Sequence, residues 1–296
     1  MEMVSNVSWI LLALFGTVSF TLAGLLDKLI LDRYMQEPKV YLLCQVLAQQ
    51  VFAMTAFAFI RPAFLFPDSL FAVALGSLQV LPTVYFLRAI KEDELSRVTS
   101  LEYFYVVLVF ILSASLLGES LPARNYAGAA LILLSSLIVA YSPDSLTTPA
   151  LRHILPYWVM NTIYYLAMKC LLCSMGEWDM YIWSTFGNLA AVMPFLRSGG
   201  AAGLSMMASN AQTLCSILVE EAFQFLGMIL FIFAYASGPL ALVNGVGALQ
   251  PMMTFISILV IRSVYSGIIE EDTCRGAVMR KFSAVSMVAL GIYFIC

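Results

Sequence analysis

The sequence predicts an all-α membrane protein of ten transmembrane helices, arranged as two five-helix repeats that cross the bilayer in opposite directions. Three observations carry that expectation. Of the 296 residues, 61% are hydrophobic and 11% charged, whereas a soluble protein carries about 25% charged residues, so the chain lacks the polar surface to cover itself with water. Ten stretches of about 20 mostly apolar residues, the length that crosses hydrocarbon, follow one another along the chain. A shift of 145 residues then lays Gly76–Ala114 on Glu221–Leu259 without a gap.

The ten windows fall at 7–28, 40–60, 69–90, 97–117, 123–142, 154–174, 178–196, 213–236, 240–261 and 279–296. Short polar turns separate them. Backbone groups in lipid must be satisfied within each segment, so each window is expected to be a helix. The first apolar run exceeds the 7–15 residues, roughly, of a signal h-region and lacks a basic n-region, so it is expected to stay as a helix. Two connections are longer. Arg197–Gln212 is rich in Gly, Ala and Ser and fits either a flexible loop or a short interfacial helix; Arg262–Arg280 contains IIEEDTCRG. Near mid-chain, SPDSLTTPALR (Ser142–Arg152) reads as a linker. It divides the chain into repeats at 1–142 and 154–296, joined through 143–153.

Under the shift, Gln79 meets Gln224, Leu81 meets Leu226, Phe86 meets Phe231, Ala89 meets Ala234, Leu95 meets Leu240 and Val98 meets Val243. Lys28 meets Lys169 at a shift of 141. Five helices per half is an odd number, so the second half must enter the membrane upside down. Inverted repeats of this kind build many transporters, with the substrate site near midplane between them.

AIKEDELSRVTSLEYFYVVLVFILSASLLGESL (Ala89–Leu121) resembles the first-half signature of the drug/metabolite transporter superfamily, EamA type, in which an acidic-to-Ser-Arg-Val turn leads into a fourth helix ending in Leu-Gly-Glu. AYASGPLALVNGVGALQPMMTFISILV (Ala234–Val260) resembles the second-half version, with its Gly-Pro turn and a Gln-Pro in the ninth helix. LLDKLIL in the first window is similar to a lysine-bearing turn in some members. The second half has IRSV at Ile261–Val264 where Leu-Gly-Glu would fall, so a gating role for Glu119 has no twin. The resemblance implies ten helices, transport of a small metabolite, and fifth and tenth helices that lie outside the pathway and support a dimer. It leaves amino acids, nucleotide-linked sugars, drugs and lipid-linked groups open as substrates.

Of the 15 Lys and Arg residues, all but Arg61, Arg124 and Lys169 fall on the side reached after odd-numbered windows. Cytoplasmic loops carry the positive excess, which places both termini outside; the resemblance implies both inside, with the inner (plasma) membrane as the expected location.

Polar groups within the windows mark the candidate site. Lys169 lies in LAMKCLLC between apolar residues, and a charge at the bilayer centre costs about 2.5–3.5 kcal/mol even on the lenient insertion scale. Asn161, Tyr165 and Lys169 follow at i, i+4 and i+8 and form one stripe, expected to face the pathway. Lys28 reads either as a snorkelling helix-end lysine paired with Asp32 or as the partner of Lys169 at the opposite mouth, the two drawing in an anionic group. Gln79, Gln224, Gln250 and Tyr105 supply neutral hydrogen-bonding groups. Coupling or gating candidates are Glu220 and Glu221, read alternatively as a solvated helix mouth, and Glu102 with Arg88, read as a pair that either locks the fold or touches substrate. Gly245, Gly247 and Pro251 permit close approach and a kink.

No zinc spacing or nucleotide loop is found. The single histidine, His153, lies in the linker, so acid–base catalysis has no constellation and an enzyme is not expected. Cys170 and Cys173 have redox-like spacing inside an apolar helix, where cysteine serves as a small hydrophobe, and no cofactor or metal is expected. Nothing points to nucleic acid. The expected function is secondary transport, by alternating access, of a small polar or amphiphilic molecule, anionic or zwitterionic. The competing expectations are a flippase for a lipid-linked sugar or phosphate, and a membrane scaffold or receptor without flux.

Overall fold

A computed structural model describes residues 2–118, 122–140, 149–264 and 275–295; Glu119, most of the mid-chain linker and IIEEDTC lie outside them. Among the described residues the structure is entirely helical. The first half contains α1 (Glu2–Arg33), α2 (Pro38–Ile60), α3 (Asp68–Glu92), α4 (Leu95–Glu102), α5 (Tyr105–Leu116) and α6 (Ala123–Ala140). The second contains α7 (Pro149–Leu171), α8 (Glu177–Val192), a 3-10 turn at Met193–Ser198, α9 (Gly200–Ser209), α10 (Ala211–Ser237), α11 (Leu240–Gly247), α12 (Gln250–Val264) and α13 (Arg275–Ile295). Six helical runs are long and apolar enough to cross a membrane: those beginning at Trp9, Pro38, Asp68, Leu95, Ala211 and Leu240.

Every apolar window holds helix, but the fourth and ninth are broken. α4 gives way to α5 at Tyr103–Phe104, and α11 to α12 at Ala248–Leu249. The second break has a visible cause: Pro251 has no N–H to donate to Gly247, so the helix cannot run through. The shift of 145 takes the first break onto the second. The Gly/Ala/Ser-rich connection forms α9, with Gly203 lying against Val40 of α2.

Two long pairs make opposing walls. α1 packs along α10, and α3 along α7. α1 and α10 are antiparallel: Trp9 near the start of α1 covers Gly238 just past α10, while Tyr34 just past α1 accepts from Gln212 Nε2 at 2.8 Å at the start of α10. Arg152, in the first turn of α7, meets Glu92 at the end of α3 at 3.0 Å. α6 and α13 pack on each other beside the breaks, away from the space between the walls.

Small residues set the closest crossing. α3 and α8 meet where Gly76 faces the Ser184 backbone and Gly187 faces Val73, and Ser77 Oγ donates to the Gly187 carbonyl at 3.0 Å. Without a hydrophobic drive between helices in lipid, such contacts and interhelical hydrogen bonds supply the association. A Cβ on Gly187 would lie 1.9 Å from the Val73 carbonyl oxygen, backbone that cannot yield cheaply. Gly187→Ala is therefore expected to cost about 1–3 kcal/mol or more, read as a lowered melting temperature in detergent, whereas Gly276→Ala, with open space around it, leaves melting unchanged.

Candidate functional site

A cavity of about 120 Å³ lies between the two walls, at the level of the helix breaks. It has room for several waters but is smaller than the roughly 300 Å³ and upward of a typical ligand pocket. Both walls and both breaks contribute. α1 supplies Phe20, Gly24 and Asp27; α3 supplies Gln79 and Thr83; α7 supplies Tyr157, Asn161 and Tyr165; α10 supplies Gln224, Phe231 and Tyr235; Glu102, Tyr103, Tyr105, Gly247 and Gln250 come from the breaks.

The breaks are tied together across the two halves. Tyr105 and Tyr235 both donate to Asn244 Oδ1, at 2.8 and 3.1 Å, while Asn244 Nδ2 donates to the Leu240 carbonyl at 2.9 Å. Tyr103 donates to Gln250 Oε1 at 2.6 Å. Aromatic stacking continues this layer, with the Tyr105 and Tyr165 rings 5.4 Å apart. Buried polar groups retained in a bundle are expected to be hydrogen-bonded, and Asn244 is bonded through both its oxygen and its nitrogen.

The carboxyl groups are less completely served. Glu102 Oε1 accepts from the Tyr157 hydroxyl, which itself accepts from Asn161 Nδ2 at 2.8 Å; Glu102 Oε2 has no partner. The expected Glu102–Arg88 pair does not form: Arg88 lies on α3 away from the cavity, and a tyrosine takes the place expected for it. Asp27 Oδ1 accepts from Tyr41 at 2.7 Å and from Gln45 Nε2 at 2.8 Å. Glu220 and Glu221 are not a solvated helix mouth. α10 starts at Ala211, which carries them nearly three turns inward, to 0% and 2% exposure. Neither lines the main cavity, although Glu221 borders a smaller hollow of about 50 Å³ that shares Gln45, Gln79 and Gln224 with it.

The two lysines depart furthest from expectation. Lys28 is 7% exposed, so it does not snorkel; its Nζ donates to the Ile90 carbonyl at 2.6 Å and the Asp93 carbonyl at 3.3 Å, with Asp32 at 3.5 Å. Lys169 Nζ donates to the Tyr235 carbonyl at 2.5 Å and the Gly238 carbonyl at 2.9 Å. Each ammonium thus caps the C-terminal carbonyls of a long helix, α3 for Lys28 and α10 for Lys169, where the helix dipole favours a cation. The shift of 145 takes Ile90 to Tyr235 and Asp93 to Gly238. Neither lysine lines the cavity, and the Asn161–Tyr165 stripe ends short of Lys169. The lining carries Asp27 and Glu102 and no basic side chain, which reverses the sign expected for an anionic substrate.

Of the residues expected at the site, Gln79, Gln224, Gln250, Tyr105, Asn161, Tyr165 and Glu102 line the cavity; Lys28, Lys169, Glu220, Glu221 and Arg88 do not. Sequence reasoning missed Asp27, hidden among the charges that end the first window, and Asn244, whose signal was a polar side chain between two glycines in the ninth. No protein-family model and no curated protein matches the sequence. The chain is similar to a protein of known crystal structure at 15% identity and TM-score 0.62 over 95% of this chain and 97% of that one. At that identity the likeness shows a shared fold.

Because Asn244 Oδ1 keeps Tyr235 when Tyr105 is lost, Tyr105→Phe is expected to cost about 1 kcal/mol. Asn244→Leu removes the shared acceptor of two buried hydroxyls, leaving them only Tyr165, and is expected to cost more, about 1–3 kcal/mol. Thermal unfolding of the two variants side by side checks the order.

Proposed function

We propose that this chain is a secondary transporter of the EamA type, with ten spans in two inverted repeats, and that it moves a small polar or amphiphilic molecule by alternating access. The carrying observation is the pair of lysine ties at opposite ends of the polar cavity. Lys28 fastens α1 to the end of α3 at one end. Lys169 fastens α7 to the end of α10 at the other. Each tie joins one wall to the other, so releasing Lys28 opens one mouth and releasing Lys169 opens the opposite one. With both ties made, the walls are held together at both ends, in keeping with the cavity's small volume.

Inversion is supported by the neighbours of each end. α1 finishes where α3 finishes, and α7 starts there, so α1 and its counterpart α7 run in opposite directions. The exchange is consistent elsewhere: α1 on α10 answers α7 on α3, and α5 on α7 answers α12 on α1. The end holding Arg33, Lys91, Arg97 and Arg152 carries the basic excess and is read as cytoplasmic. The substrate is one that offers hydrogen-bond donors or a positive charge, since the lining presents amides, hydroxyls and two carboxyl groups.

A thermal-shift screen of the purified protein across amino acids, sugar nucleotides and polyprenyl phosphates, followed by counterflow of the best stabiliser in proteoliposomes, tests the reading. Stabilisation and saturable flux are expected for a donor-rich or cationic solute, both lost in Asn161→Leu. Binding without flux in the wild type would overturn transport in favour of a receptor.

A further inference from the structure

The α1–α2–α10 contact holds more buried acceptors than the donors beside them satisfy. Glu220 stands beside Tyr41 and Gln45 and close to Asp27 and Glu221. Both Glu220 carboxyl oxygens, Glu221 Oε1 and Gln45 Oε1 have no hydrogen-bond partner. Gln45 is 6% exposed and gives its Nε2 to Asp27, so its oxygen is the end left facing unpaired acceptors. Four oxygens that only accept cannot satisfy one another. Leaving two ionised carboxylates here without a counter-charge would be prohibitive in a dry interior. The remedy the geometry calls for is a proton. A neutral Glu220 has an O–H to donate to Gln45 Oε1, which satisfies one oxygen on each partner in a single bond and removes a buried charge.

We propose that Asp27, Glu220 and Glu221 form a proton-binding site, with Asp27 joining it to the cavity. Asp27 already holds two donors, Tyr41 and Gln45, and is the member suited to remain ionised. One proton taken from water converts the Glu220 carboxylate to the acid, and its return to water reverses the step with no other bond changed. The groups facing the site are Tyr41 and Gln45 from α2, Tyr181 from α8 and Glu102 from α4. Lys28, although adjacent to Asp27 in the chain, is turned to the end of α3 and neutralises none of them. Among the described residues no group of His, Cys, Asp or Glu side chains is arranged to hold a metal ion. Only the use of this proton as the coupling ion rests on the transporter reading; its binding does not.

Infrared difference spectra of the protein in nanodiscs, recorded from neutral to alkaline pH, test the proposal without a substrate. A carbonyl stretch of protonated carboxylic acid is expected at neutral pH, diminished in Glu220→Gln and again in Glu221→Gln. Glu102→Gln identifies any share from that residue. The native state holds protons that the unfolded chain releases, so melting temperature is expected to fall as pH rises from the ordinary carboxylate range until the site itself ionises, less steeply in Glu220→Gln. Glutamine mimics the protonated acid in shape, and should Glu220→Gln fail to fold, Asp27→Asn and the wild-type spectra carry the test. Fully ionised carboxylates in the wild type at neutral pH, or stabilisation by sodium over choline at fixed pH, would overturn the proposal and leave the transporter reading standing.

Discussion

Two ammonium groups, Lys28 buried and Lys169 half-buried, each donating to the carbonyls that finish a long helix, organise this molecule. A lysine and a helix end that meet each resolve the other's deficit: the cation finds acceptors, and the last carbonyls find a donor. Lys28 does this for α3 and Lys169 for α10. Because each lysine stands on one wall and its acceptors on the other, the same contacts that satisfy the chemistry also hold the walls together, at opposite ends.

Between those ends the polar groups are sorted by how well they are satisfied. The helix breaks at Tyr103–Phe104 and Ala248–Leu249 present Tyr103, Tyr105, Asn244 and Gln250 to one another in closed hydrogen bonds, which fixes the register of one half on the other. The carboxyl groups of Glu102, Glu220 and Glu221 keep unpaired oxygens instead. Of these, Glu102 lines the cavity, where water or a solute can answer it, and Glu221 borders the smaller hollow beside it.

Much of this was legible in the sequence. Hydropathy placed helix in each apolar window, six of the helical runs being long and apolar enough to cross a membrane, and Pro251 marked the ninth window for a kink where the helix in fact breaks. The break at Tyr103–Phe104 carried no Gly or Pro and was invisible. Lys169 announced by its apolar flanks that it needed a partner, yet the partner is backbone 66 and 69 residues away, which no side-chain pattern encodes. Asp27 was masked by neighbours in LLDKLILDR that do end the helix, since its donors, Tyr41 and Gln45, sit on the next one. Glu220 and Glu221 were left between two readings, because a shift of a few residues in the start of the helix separates a wet helix mouth from a buried position.

The paired ties are tested most directly by distances between spin labels on the two walls. Leu155 and Ser216 mark the end held by Lys28, and Ser174 and Ser237 the end held by Lys169. Lys28→Met is expected to lengthen the first distance and leave the second unchanged, and Lys169→Met to do the reverse. Both distances unmoved, or both lengthened by either substitution, would contradict the account.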